Sequence, residues 1–470
     1  MQTLRSAFDP AGFREEGHRV IDLLADLLAA AGAAESKVLP WASPADEFAH
    51  WERRMREPHQ RVADFVGEFA ARSIKLHHPH YMGHQVCAPA PGAALAGLAS
   101  ELLNNGMAVY EMGPAANALE RWIIRETCAA LGLAPGDGFL TSGGTLAALT
   151  ALLAARSRIL GDDSFEEGTD RRWAVIASEE AHYCTARAVQ VMGWGQAGVV
   201  GVPTDTRFKL RVDLLPAALA EAERRGRRPV AVVASACSTS TGSYDDLPGI
   251  ADFCSRHGLW LHVDGAHGAA VAFCPELRGR LAGIERADSV ILDFHKLLLT
   301  PALATAVLFR EPAASWAAFH QRAQYLFGEN DTDPWRDSGR RTFECTKLAM
   351  SAKIAALWRA YGAELFAENL CTVYGLARDF AELLRTTPPF EVAVEPESNI
   401  VCFRLRPPGF DAAAVDAINA AARRRVVEAG RFYLVQTKLR GRVWLRTALM
   451  NPFTTRAHLA AMLETVAAAP

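Results

Sequence analysis

Leu259-Trp260-Leu261-His262-Val263-Asp264-Gly265-Ala266-His267 and, further on, Val290-Ile291-Leu292-Asp293-Phe294-His295-Lys296 are the two stretches on which the reading of this chain turns. Each is a short apolar run that ends in residues able to carry charge. Runs without polar alternation belong to strands buried on both faces, the mark of a mainly parallel sheet. Ligands of such sheets bind beyond the carboxyl ends of the strands, which is where Asp264 and Lys296 fall. An acid directly after a buried strand is costly unless a cation faces it. The plainer alternative for Asp264 is a cap on the next helix, and a lysine beside a histidine is, alone, more often a surface residue.

Working outward, Trp173 to Ala177, Val199 to Val202 and Val230 to Ala234 are similar runs separated by helical patterns, which predicts a doubly wound α/β domain. Three zones follow. Residues 1–75 are helical, with Val20, Ile21, Leu23, Leu24, Leu27 and Leu28 on one stripe after a start at Asp9-Pro10. That zone is too short for a rich core of its own. Residues 76–345 form the large α/β domain. Residues 346–470 form a smaller α+β domain, with strands at Asn399 to Leu405 and Arg442 to Arg446.

At 470 residues, two or three domains are expected. A formal charge of -3 and the absence of a basic block argue against nucleic acid as a partner. No run of 18 apolar residues and no signal-peptide pattern occurs, so neither membrane insertion nor export is expected, and a cytoplasmic location is the default. Nine scattered cysteines without a C-x-x-C pair argue against a disulfide framework and a structural zinc site, and no metal is expected.

Two further features carry chemistry. Gly138-Phe139-Leu140-Thr141-Ser142-Gly143-Gly144-Thr145 opens a strongly helical stretch, and glycines with hydroxyls at a helix start offer unpaired N–H groups to an anion. A plain N-cap looks the same. His182 follows the Trp173 run and should reach the same sheet edge. An amine, a carboxylate and an anion cradle at one edge are what pyridoxal phosphate requires: a Schiff-base lysine, a partner for the ring nitrogen and a seat for the phosphate.

These residues resemble the group II pyridoxal-phosphate-dependent amino-acid decarboxylases over roughly residues 70 to 455. The resemblance rests on His78-Pro79-His80-Tyr81-Met82-Gly83-His84-Gln85, Tyr110 to Pro114, Ser178 to His182, Trp260 to His267 and Gly283 to Ser289 leading to His295-Lys296. It implies a large domain like that of aspartate aminotransferase (fold type I) with a mainly parallel seven-stranded sheet, and a homodimer with active sites at its interface, the N-terminal segment packing across it. By the same resemblance Lys296 carries the cofactor, Asp264 binds its ring nitrogen, Ala266 lies against the ring and His182 stacks on the other face. Thr239 would contact the ring substituents, and Gly144, Thr145, Ser289 and His295 the phosphate. Tyr325 matches a tyrosine that protonates the substrate carbon after carbon dioxide leaves. Arg446, Tyr81, Gln85 and Tyr110 are the substrate-binding candidates, for an amino acid of the glutamate or 2,4-diaminobutyrate type. The chain departs from the family at Cys237-Ser238-Thr239, Gly265 and Asp293.

Rival readings exist. Gly193-Trp194-Gly195-Gln196-Ala197-Gly198 matches a dinucleotide fingerprint but stands before a strand, the reverse of the required order. His77, His78, His80 and His84 could suggest a metal module, but Pro79 and Gly83 break the spacing, and a pocket-lining loop is expected instead. On the same fold, an oxidative deaminase making an aldehyde, or an aminotransferase, is the alternative to amine formation.

Overall fold

The runs that end at Asp264 and Lys296 are neighbouring strands of one seven-stranded sheet in the computed structural model, which describes residues 2–34, 36–161, 163–319 and 334–468. In chain order the strands are β1 (Asp137–Thr141), β2 (Trp173–Ser178), β3 (Val199–Val202), β4 (Arg228–Ser235), β5 (Trp260–Asp264), β6 (Ser289–Asp293) and β7 (Thr305–Phe309). Their spatial order is β1-β7-β6-β5-β4-β2-β3. Only β7 runs against the rest, pairing antiparallel with both β1 and β6. The mainly parallel sheet expected from the unalternated runs is therefore present. The run Thr305–Phe309 is as apolar as its neighbours, but its reversed direction comes from its partners and not from its composition.

Burial explains the composition. The helix Gly144–Leu160 packs Ala147, Ala148, Ala151, Ala154 and Ala155 into a core shared with Val175, Val233, Ile291 and Val307. Small residues let helix and sheet approach closely, and each fully buried Val or Ile contributes about 1.5–3 kcal/mol. Register then sets the chemistry. Ser235 pairs with Asp264 and Asp264 with Ile291, so Asp293 stands two residues further along the same edge.

The chain divides into two units, each described on its own terms. One comprises Gln85–Gly375 and Val394–Ile400, and contains the seven-stranded sheet. The other comprises Met1–His84, Leu376–Ala393 and Val401–Pro470. A four-stranded sheet accompanies it, ordered β10-β11-β9-β8 from β8 (Phe390–Val392), β9 (Ile400–Leu405), β10 (Val435–Leu439) and β11 (Arg442–Ala448). Its core gathers Phe380, Val401, Phe403, Leu445, Leu449 and Met462. The first long helix, Pro10–Gly32, starts where expected: the Asp9 carboxylate accepts from the N–H groups of Ala11 and Gly12. Within this unit the Met82 N–H donates to the Tyr433 carbonyl at 2.9 Å.

Two rival motifs resolve structurally. Gly193 and Gly195 adopt positive φ (79° and 69°) in the turn between the helix Cys184–Val191 and β3, a helix-to-strand loop. His78 and His80 are buried, not lining a pocket as expected. His78 Nε2 lies 2.8 Å from the Ser36 carbonyl, and His80 stacks on Phe432 with ring centres 4.1 Å apart. The burial of His80 takes its pKa down to about 4, so both its role and its neutrality belong to packing.

Candidate active site

β1 ends at Thr141, and the chain must turn at once into the helix Gly144–Leu160. Gly143 makes that turn at φ +117°, a conformation that L side chains rarely adopt, and no side chain caps the helix. The first N–H groups of the helix are thus left for an anion. A Cβ on Gly144 would sit 3.4 and 3.5 Å from the Asp293 carboxylate oxygens and 3.7 Å from Ala266 Cβ, so a side chain here would crowd the space in front of the helix.

That space is a cavity of about 170 Å³ lined by Gly144, Thr145, His182, Thr239, Asp264, Ala266, His295 and Lys296, eight of the residues singled out in the sequence. They arrive from five different strand ends. Cys184, Cys237, His267, Ile291 and Asp293 line it as well, and the sequence reading had not assigned them a role in the site. Proximity along the chain was the available signal: Cys184 follows His182 by two positions, His267 adjoins Ala266, and Asp293 precedes Lys296 by one turn.

Lys296 Nζ lies 2.8 Å from Asp293 Oδ2, and the Asp293 carboxylate also accepts from the Thr305 hydroxyl. Burial alone would lower the Lys296 ammonium, but Asp293, aided by Asp264, outweighs it and holds the group above the ordinary lysine value. Burial likewise works to raise the Asp293 carboxyl, while Lys296 and His295 together bring it below its usual value. His295 Nε2 stands 3.7 Å from Asp293 Oδ2. Asp264 is provided for differently. Its Oδ1 accepts the Ala266 N–H at 3.2 Å and its Oδ2 is 3.9 Å from Cys184 Sγ. Among the described residues no ammonium or guanidinium pairs with it. His182 is lowered chiefly by burial and further by Lys296, against the pull of Asp264 and Asp293, and its Nδ1 accepts the Cys184 N–H at 3.3 Å.

Ser289 does not join this cavity. It opens β6 and pairs with His262, four residues and so about 13 Å of strand before Asp293. Its hydroxyl meets Trp260 Nε1 at 2.8 Å and His262 Nδ1 at 2.9 Å, a buried structural role that corrects the phosphate assignment. Tyr325 lies outside the described residues. Gln85 and Tyr110 belong to the same unit as the cavity but do not line it, and Tyr110 opens a single 3-10 turn whose N–H donates to Asp337. Tyr81 and Arg446 belong to the other unit. There Tyr81 stacks on Tyr433 with ring centres 5.4 Å apart, and the buried Arg446 helps to lower the His84 imidazole, second to burial.

The family model described as the pyridoxal-dependent decarboxylase conserved domain matches residues 58–406. The chain is 30% identical to human cysteine sulfinic acid decarboxylase over 410 residues, 86% of this chain and 83% of that protein. With an acidic amino acid decarboxylase of Xenopus tropicalis it shares 29% identity over 405 residues, 85% of this chain and 79% of the relative. The crystal structure of mouse CSAD superimposes with a TM-score of 0.91 at 25% identity, covering 97% of this chain and 98% of that one.

Proposed function

The chain belongs to the pyridoxal-dependent decarboxylases and is a pyridoxal-phosphate enzyme that releases carbon dioxide from an amino acid, and we propose that the cavity around Lys296 is where it does so. The observation that carries this assignment is the partly buried Asp264 carboxylate, which forms no ion pair with an ammonium or guanidinium among the described residues in a cavity that also holds a lysine amine and an uncapped helix start. The cofactor supplies both missing charges, a protonated ring nitrogen and a phosphate.

When bound, pyridoxal phosphate provides a ring into which the electrons left by departing carbon dioxide can flow. The chain's own residues do the rest. Lys296 supplies the amine that carries the cofactor between turnovers. Asp264 holds a proton on the ring nitrogen and so keeps the ring electron-poor. His182 and Ala266 bound the ring, and Thr239 contacts its substituents. Gly144 and Thr145 offer helix N–H groups and a hydroxyl to the phosphate, with His295 nearby. Tyr325 returns a proton to the substrate carbon, which directs the outcome to amine and not aldehyde. Tyr325→Phe should retain cofactor and lose most amine output, and unchanged amine formation would overturn its role.

The substrate is an L-amino acid of the glutamate or 2,4-diaminobutyrate type. Two relatives whose names specify acidic substrates support the acidic side of that pair, and Arg446 would recognise the carboxylate by its bidentate geometry. Tyr81, Gln85 and Tyr110 complete the substrate contacts in this reading. Incubating the holoenzyme with the twenty common amino acids, 2,4-diaminobutyrate and cysteine sulfinate, and measuring carbon dioxide and amine, tests it: the highest kcat/KM should fall on an acidic substrate, and preference for an aromatic one would sink it.

The working form is a homodimer with active sites at its interface, the helical residues 1–75 packing across it, with the cofactor domain at 76–345 and the small domain at 346–470. Exposed apolar residues of the N-terminal segment, among them Phe8 at 80% in the turn before the helix Pro10–Gly32 and Phe48 at 71% on the helix Pro44–Arg54, support a covering partner. A cytoplasmic setting accords with the chemistry, and no described helix is long and apolar enough to cross a membrane. Sedimentation of the intact protein should give twice the chain mass.

A further inference from the structure

Away from the cofactor cavity, within the same unit, Cys274 and Cys371 bring their sulfurs to 3.1 Å. Cys274 ends the short turn Gly268–Phe273 that follows the cavity residues Ala266 and His267. Cys371 lies on the helix Glu364–Arg385. Glu276, two residues beyond Cys274 across Pro275, places Oε2 3.3 Å from the first sulfur and 3.7 Å from the second. The Cys274 sulfur is buried, Cys371 is partly exposed and Glu276 faces solvent, so one side of the cluster is open.

We propose that Cys274, Glu276 and Cys371 form a site for a thiophilic divalent cation of the zinc class, outside the catalytic machinery. Tetrahedral zinc with Zn–S near 2.3 Å and Zn–O near 2.1 Å has donor-to-donor edges of about 3.8 Å between sulfurs and about 3.6 Å between sulfur and oxygen. The two sulfur–oxygen edges, 3.3 and 3.7 Å, lie within a few tenths of an ångström of those values, and the sulfurs, now 3.1 Å apart, would have to open by about 0.7 Å, within reach of a side-chain rotation of the partly exposed Cys371. A fourth position stays open to water on the exposed side. The carboxylate also separates this reading from a simple disulfide: a cation uses a third, anionic donor facing both sulfurs, whereas a disulfide would remove both S–H donors from Glu276. Without metal, burial together with Cys371 and Glu276 pushes the Cys274 thiol up to about 12, so the cation must displace the proton. Binding is not a redox step. Two metal–sulfur bonds form, two S–H bonds break, and two protons leave to buffer. The ion would tie the segment just after Ala266 and His267 to the Glu364–Arg385 helix.

The test uses reduced, metal-free holoenzyme, with cofactor occupying the Lys296 cavity, titrated with zinc chloride by calorimetry in two buffers and with cobalt chloride by absorption. One equivalent per chain should bind with release of about two protons, cobalt should give thiolate charge-transfer absorption, and zinc should raise the thermal midpoint. Cys371→Ser should lose more than the roughly 10–100-fold in affinity typical of removing a partner that only supports a ligand. Glu276→Gln, at an exposed position that leaves the fold alone, should weaken binding while keeping the cobalt band. Three results would overturn the proposal: no saturable uptake by the wild-type protein, undiminished uptake by the Cys274→Ser, Cys371→Ser double variant, or isolation of a Cys274–Cys371 disulfide together with failure of the reduced protein to take up metal.

Discussion

β5 and β6 each deliver one carboxylate to the same cavity, and the chain treats the two in opposite ways. Asp293 at the end of β6 has a lysine at 2.8 Å, a threonine hydroxyl and a histidine close by. Asp264 at the end of β5 has a backbone N–H and a distant thiol. A buried carboxylate that its own chain neutralises, such as Asp293, is part of the fold, whereas a partly buried one without an ion-pair partner among the described residues, such as Asp264, is prepared for something the chain does not contain. The difference teaches where to look for a ligand: not at the acid with the most partners but at the acid with the fewest.

Substitutions can break or sharpen this contrast. Lys296→Ala removes the amine that pairs with Asp293 and would carry the cofactor, and should abolish turnover, a loss of at least about 10³-fold, while cofactor still binds noncovalently. Absorption spectra and carbon dioxide release check both halves, and full activity in this variant would end the assignment. Asp264→Asn should cost about 10²–10⁴-fold in kcat with the fold intact, because nothing then holds the ring proton. If Asp293→Asn were instead the more damaging to kcat, the roles of the two acids would be exchanged.

Asp293→Asn should act mainly on stability of the cofactor-free protein. The folded Lys296 pKa is raised, so its contribution is full below the unfolded lysine value and disappears as pH rises through the folded one. The folded Asp293 pKa is lowered, so its contribution is full above the unfolded aspartate value and disappears as pH falls through the folded one. The pair therefore stabilises across the window from about pH 4 to about pH 10. Removing the carboxylate should cost about 3 kcal/mol throughout that window in denaturant melts, and a loss confined to one end would contradict the pairing. The smallest catalytic effect belongs to Ser289→Ala. It should destabilise by about 1–3 kcal/mol by stranding two buried donors or acceptors, and leave cofactor affinity unchanged. A weakened cofactor complex would restore Ser289 to the phosphate.

Much of this was legible before any coordinates. Unalternated runs announce a sheet buried on both faces, and the charged residues that close them announce its functional edge, because both signals are local consequences of burial. The failures share a cause. Ser289 stands in a stretch whose resemblance is strong, yet which end of a strand a residue occupies depends on register, and register is a property of pairs. Asp293 and Cys184 stand beside predicted site residues in the chain, but that each side chain turns into the cavity is set by how the strands pack. The cluster of Cys274, Glu276 and Cys371 joins residues nearly a hundred positions apart, beyond the reach of spacing rules that look for metal ligands in short motifs.

Sequence alone determined the fold class, the pyridoxal chemistry and the identities of Lys296, Asp264 and His182 as candidates, because hydrophobic period and residue type are written position by position. Tertiary structure alone decided that Asp293 meets a lysine while Asp264 has no ion-pair partner among the described residues, that Ser289 stands at the far end of its strand, and that two distant thiols meet a carboxylate. Those are facts about distances between chain segments, and distance is created only when the segments pack.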